Sequence, residues 1–209
     1  MPRDSTATKE RLLREAERLF ARRGLYQVTV REITEAAGQR NVSALNYHFG
    51  SREDVLNAIL TRFGDPTDAA RGEHLAAAGR DADPRDLMAA LVLPYGAHLS
   101  TSEGRDYLRI VAQMTGQFAG WRDTRPGVGP HLQEILGLLE QRPPELPPEI
   151  RRERVVNMIQ LMTASMAERA RAIEDGDPLP LDEPLFLANL TDVLVGVLEA
   201  PLRGAISTR

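Results

Sequence analysis

The sequence predicts an all-α chain: an N-terminal three-helix head containing a helix-turn-helix, joined to a larger helical body. Two patterns carry that expectation. Apolar residues recur at the three- and four-residue spacing of amphipathic helices, and breaks rich in Gly, Pro and Asp interrupt them at helix-sized intervals. No alternating strand pattern bounded by hairpin residues accompanies them, nor any repeat or low-complexity tract.

Taken in order, Leu12, Ala16, Leu19 and Phe20 make one stripe of a first helix that stops at Gly24. A second, short helix opens at Thr29, where T-V-R-E over residues 29–32 is a capping box. The Thr29 hydroxyl can accept from the Glu32 amide while the Glu32 side chain reaches back. That helix turns Ile33 and Ala37 inward and ends at Gly38, a left-handed cap. A third runs from about Asn41 to Phe49. A fourth follows Gly50, capped by Ser51 with Asp54 three residues on, and presents Val55, Leu56, Ile59, Leu60 and Phe63 on one face. Gly64-Asp65-Pro66 then reads as a break. This divides the chain into a head over residues 1–50, a linking helix over 51–64 and a body over 65–209. In the body, helices are expected at about 67–79, 85–101 (bent at Pro94), 104–119, 130–142, 149–175 and 184–199.

Composition bounds the chemistry. The 209 residues include no Cys, which excludes disulfides, thiolate metal sites and cysteine nucleophiles. The longest run without Asp, Glu, Lys or Arg, Leu87 to Ser102, contains Pro94 and falls short of the ~18–20 apolar residues of a membrane helix. The charged amino terminus has no apolar signal region, so a cytoplasmic protein with no membrane partner is expected. His48, His74, His98 and His131 show no ligand spacing, so neither metal nor cofactor is expected. No nucleophile elbow, Walker sequence or dinucleotide signature occurs, which argues against an enzyme. Charge is divided: residues 1–64 hold eleven basic and eight acidic residues, net +3, and residues 65–209 hold fifteen and twenty-two, net −7. A basic head on an acidic body suits a chain whose head alone approaches a polyanion.

The second and third helices with the Gly38-Gln39-Arg40 turn form the helix-turn-helix. A short second helix of this kind can lie in a major groove with its first turns on base edges. Asn41, Ser43, Asn46 and Tyr47 offer polar groups that can share one face, and Arg31, Arg40, His48 and Arg52 sit where phosphates would be met. The alternative from another class is a helical interaction protein in which this unit is only an αα-hairpin.

The series T-V-R-E-I-T-E-A-A-G over residues 29–38, followed by L-N-Y-H-F-G-S-R-E-D-V-L over 45–56, resembles the DNA-binding head of the TetR family of bacterial transcriptional regulators. The resemblance covers roughly residues 8–63. The chain departs from the family pattern in a turn one residue longer than usual, in Asn46 where an aromatic is common, and in Thr34 where a small apolar residue is common. What the resemblance implies is a homodimer reading a near-palindromic double-stranded operator, most often as a repressor released by a small-molecule effector. Carried over by position, Thr29, Tyr47, His48 and Arg52 would contact phosphate, and Ser43, Ala44 and Asn46 would face bases, with Leu45 and Phe49 in the core. The effector's identity, the operator sequence, the regulated genes and the sign of regulation are not encoded in any motif.

For the body, Pro94 is expected to open space near Tyr95 and His98, facing Leu108, Val111, Met114 and Phe118, with Trp121 at the mouth and Met158 and Met162 closing the cavity. Tyr95, His98 and Gln113 would orient an apolar, neutral or weakly polar guest. The helices at 149–175 and 184–199 carry more apolar surface than one core needs, which predicts a four-helix dimer interface through Met162 and Leu194.

Overall fold

The computed structural model describes residues 2–79, 81–114 and 126–203, with side chains from residue 5 onward. Among the described residues there are nine α-helices and no strand: α1 Pro2–Arg23, α2 Val30–Ala36, α3 Ser43–Phe49, α4 Arg52–Ala78, α5 Pro84–Gly96, α6 Ser102–Met114, α7 Pro130–Glu140, α8 Pro148–Asp175 and α9 Glu183–Glu199. A short 3-10 helix, Ala97–Ser100, follows α5. Phe118 and Trp121, and the end of the helix expected to reach residue 119, lie outside the described residues.

Two cores organise the molecule. The head core gathers Leu12, Ala16 and Phe20 of α1, Ile33 of α2, Leu45 of α3 and Val55 and Ile59 of α4. Ile110 of α6, fully buried, belongs to it as well. The body core runs from Leu60 and Leu75 through Leu87, Leu91, Tyr95 and Tyr107 to Met158, Met162 and Leu194. Helices α5, α6, α8 and α9 pack around it, with α7 against α4 and α5.

The expected break at residues 64–66 is absent, because α4 passes through Pro66 as one helix of 27 residues. Pro66 withholds the N–H that would reach the Arg62 carbonyl. One residue on, the Thr67 hydroxyl donates to the Phe63 carbonyl at 2.6 Å. Gly64 lies against Gly127, and a Cβ there would come within 2.6 Å of the Gly127 Cα. The breaker residues of the sequence are thus a packing contact, not the end of a helix.

The outer helices also differ from expectation. Met162 is 4% exposed and Leu194 0%, so both face the chain's own core. The apolar residues left on the outer faces of α8 and α9 are Leu161, Leu185 and Val193, at 38%, 54% and 44% exposure.

Candidate nucleic-acid interface and effector core

The helix-turn-helix is fixed by local hydrogen bonds at each junction. At the start of α2 the Glu32 N–H donates to Thr29 Oγ1 at 3.3 Å, and the Thr29 N–H donates to Glu32 Oε2 at 2.8 Å. The Thr29 N–H first, and then the Thr29 hydroxyl donating to the same Glu32 oxygen at 2.8 Å, hold the Glu32 carboxyl below its usual range, helped by Arg23 at 2.7 Å. At the other end Gly38, at φ +69°, lets the Gln39 N–H reach the Thr34 carbonyl at 2.9 Å and its own N–H reach Glu35 at 3.0 Å. That pair of bonds is a Schellman turn, and the left-handed backbone it requires disfavours any side chain.

Helix α3 starts at Ser43, two residues later than the pattern suggested. Asn41 Oδ1 accepts from the Ser43 N–H at 2.9 Å, and the Asn41 carbonyl accepts from Ala44 at 3.0 Å, so Asn41 shapes the turn ahead of the helix. Leu45 is fully buried and Phe49 half-buried against the head core, with the Lys9 ammonium 5.4 Å above the Phe49 ring. Opposite Leu45, Ser43, Asn46 and Tyr47 are exposed along one face, Tyr47 at 81%. Ala44 and His48 are half-buried beside them, and the His48 ring meets the Tyr47 ring edge-on at 5.1 Å.

Thr29, Arg31 and Arg40 are exposed, Arg31 paired with Glu35 at 2.7 Å. Arg52 is held differently. Its Nε donates to the Val28 carbonyl at 2.8 Å and its guanidinium lies 5.0 Å over the Phe20 ring. In that position it ties the loop before α2 to α4. Ser51 caps α4, accepting from the Asp54 N–H at 3.1 Å.

Head and body meet along α6. The Gln113 amide oxygen accepts from the Leu25 N–H at 2.7 Å, and its nitrogen donates to the Phe20 carbonyl at 3.0 Å. The side chain expected to orient a guest instead satisfies the end of α1. Nearby on α1, Glu17 is 1% exposed, and its Oε1 lies 3.3 Å from Arg62 while Oε2 has no partner among the described residues. Burial, only partly opposed by Arg62, raises its pKa to about 7.

In the body, Tyr95 and His98 do come together, in a ring cluster that the sequence reading did not complete. Tyr107 of α6 stacks on Phe63 of α4 at 4.9 Å between ring centroids and meets His98 at 4.9 Å and Tyr95 at 6.2 Å. Thr67 Oγ1 lies 2.7 Å from His98 Nε2. Because the hydroxyl proton goes to Phe63, the imidazole donates through Nε2 here. Burial and the neighbouring Arg71 lower the His98 pKa to about 4, leaving the ring neutral. Met158 and Met162 are buried in the same core, and Val111 and Met114 are half-buried against it. The missed residues Phe63, Thr67 and Arg71 form an i, i+4, i+8 row on α4, which the presumed break at Pro66 cut in two.

Comparison with known proteins agrees with this geometry. A family model described as bacterial regulatory proteins of the tetR family matches residues 12–59, and a tetracyclin repressor-like C-terminal domain matches residues 89–196. Over 68 residues the chain is 44% identical to the HTH-type transcriptional repressor KstR2 of Rhodococcus jostii (strain RHA1), a stretch that is 31% of this chain. The chain spans 33% of that relative's length. Two solved structures share the fold along nearly the whole chain. NalD, the secondary repressor of the MexAB-OprM multidrug efflux pump in Pseudomonas aeruginosa, has a TM-score of 0.58 at 20% identity, covering 92% of this chain and 95% of NalD. The fatty acid degradation regulator FadR from Bacillus halodurans has a TM-score of 0.56 at 17% identity, covering 91% and 96%. At those identities the likeness is one of fold. The C-terminal match covers more than half of the sequence and the N-terminal match lies on the helix-turn-helix, so this chain belongs to the TetR family of bacterial regulatory proteins.

Proposed function

We propose that the protein is a cytoplasmic, non-enzymatic repressor that leaves its operator when a small molecule occupies the body. The observation that carries the DNA-reading half is the exposed face of α3: Ser43, Asn46 and Tyr47 stand free of the core on a helix whose opposite side is anchored by Leu45. Ser43, Ala44 and Asn46 read bases. Thr29, Arg31, Arg40, Asn41, Tyr47, His48 and Arg52 meet the backbone around them, Arg52 from a guanidinium whose Nε is held by the Val28 carbonyl. We keep the division into a head over residues 1–50, a linking segment over 51–64 and a body over 65–209, with α4 continuous between the last two.

Two heads are needed to read a near-palindrome with half-sites ~34–36 Å apart. The outer faces of α8 and α9, where Leu161, Leu185 and Val193 remain exposed, support a dimer in which two copies bury them in one four-helix layer. Effector binding reaches DNA through α6, which carries Tyr107 in the body core, Ile110 in the head core and Gln113 on the end of α1. A ligand that favours one position of α6 over another shifts the head only by its differential affinity for the two states.

The test is fluorescence anisotropy with the DNA upstream of the protein's own gene beside a random duplex. Asn46→Ala should lose about 1–3 kcal/mol of discrimination at one position per half-site. Equal weakening on both duplexes would remove Asn46 from base reading. Failure of the wild type to prefer its own upstream DNA would remove that sequence as the operator.

A further inference from the structure

The body core holds a guanidinium that forms no ion pair among the described residues. It belongs to Arg71, which is 4% exposed and whose Nε has no hydrogen-bond acceptor among the described residues. Burial pulls its pKa down, yet a guanidinium remains protonated in any folded protein. Asp68, one turn earlier on α4, is near enough to favour the charge, but its oxygens accept from the backbone N–H groups of Leu132 at 2.7 Å and His131 at 3.2 Å. The groups that face Arg71 from the other helices are Tyr95 of α5 and Tyr107 of α6, with His98 beside them. The Tyr95 hydroxyl is buried and likewise without a hydrogen-bond partner among the described residues.

A buried cation of this kind is strongly unfavourable unless something of opposite charge meets it. Leaving both Arg71 Nε and Tyr95 Oη unsatisfied in one core is therefore a cost the apo protein carries, and an entering anion relieves it. His98 is neutral, so among these groups one positive charge is on offer, which matches a monoanion better than a dianionic phosphate. A guanidinium edge receives the two oxygens of a carboxylate side by side, and a tyrosine hydroxyl adds one more donor. The surrounding core, including Leu91, Leu108, Met158 and Met162, is apolar and includes pliant thioethers.

We propose that Arg71, assisted by Tyr95, binds the carboxylate of the effector, which is an organic acid with an apolar remainder. This rests on the reading of the body as an effector site, and it replaces the neutral guest expected from the sequence by an anionic one.

The experiment uses the full chain at constant ionic strength, with hexanoate, octanoate and phenylacetate as probes, each beside its carboxamide. At least one acid should raise the melting temperature and release the upstream DNA, while its amide at equal concentration does neither. Arg71→Met, which removes the charge but keeps an apolar filling, should melt no lower than wild type and require at least about tenfold more acid for the same shift. Tyr95→Phe, nearly isosteric, should keep the fold and weaken the acid response by a few-fold, about 3–10. The proposal is overturned if acids and amides act alike, if no acid acts, or if Arg71→Met answers the acids as wild type does. A destabilised Arg71→Met together with an undiminished acid response in Tyr95→Phe would make Arg71 structural and overturn it too. Because melting is read without DNA, a protein that melts higher with acid but ignores its upstream DNA would sink the operator assignment alone. One that binds that DNA but ignores every acid would sink only the carboxylate site.

Discussion

The head and the body treat their polar groups in opposite ways. In the head, side-chain polar atoms near the α2–α3 unit are paired within a few residues of themselves: Thr29 with Glu32, Arg31 with Glu35, Asn41 with Ser43, Ser51 with Asp54. What remains for DNA stands on the surface. In the body, Arg71 and Tyr95 come from different helices and leave donors unsatisfied where water does not reach. Local pairing makes a rigid surface that recognises by shape and position. Unpaired groups in a core make a place that is improved by a guest.

The contrast can be tested from its strongest consequence to its weakest. Val193→Asp and Leu161→Asp place a charge on the outer faces of α8 and α9, outside both cores. Monomers by light scattering are expected, with operator affinity down by roughly 10²- to 10⁴-fold once the two heads act independently. Dimers that persist in both variants would move the interface to another face.

Glu17 and Arg52 are the head's exceptions, each with a buried polar atom unpaired among the described residues, and Glu17 sharpens the comparison through pH. Its pKa is raised to about 7 from 4.5 by burial, so the stability it contributes is present below pH 4.5 and disappears as pH rises through 7. His98 runs the other way: its pKa is lowered from 6.5 to about 4, so its contribution is present above pH 6.5 and disappears as pH falls through 4. The two slopes oppose each other between pH 4.5 and 6.5 in the wild type. Glu17→Gln should remove the Glu17 slope and gain on the order of 2–3 kcal/mol over wild type at pH 8, and close to nothing at pH 4, by urea unfolding. A gain independent of pH would mean Glu17 is not titrating in this range.

Gln113→Leu removes the bridge between the two regions. It leaves the Leu25 N–H without its acceptor, while the Phe20 carbonyl keeps the Gly24 N–H at 3.2 Å, a loss of about 1 kcal/mol in unfolding free energy. It should also reduce the effector's effect on DNA affinity while leaving effector affinity in the absence of DNA near wild type. Unchanged coupling would send the signal by another helix. Thr29→Ala, at the small end, should cost ~1 kcal/mol through loss of one cap and leave the acid response of the body untouched.

Legibility in the sequence followed the same division. The capping box at Thr29, the turn at Gly38, the Ser51 cap and the burial of Leu45 were readable because each depends on residues within one or two turns. The start of α3 was misplaced because Asn41 bonds forward to Ser43 in a turn, and a candidate N-cap asparagine looks the same from sequence. Arg71 and Gln113 were unreadable or misassigned for a different reason. Their partners or neighbours come from α1, α5 and α6, and only the packed chain decides whether a polar side chain meets a guest or the end of another helix.

The continuity of α4 through Pro66 has a mechanical consequence. A helix jointed at residue 66 would absorb a disturbance in the body; an unbroken one acts as a beam. Gly64, pressed on Gly127, stands twelve residues from Arg52, a lever arm of ~18 Å at ~1.5 Å per residue. A rotation of about 10° about that contact would swing the head end by ~3 Å. In a two-fold dimer the arms swing in opposite senses, so the half-site spacing of ~34–36 Å would change by roughly 6 Å, more than one base-pair step.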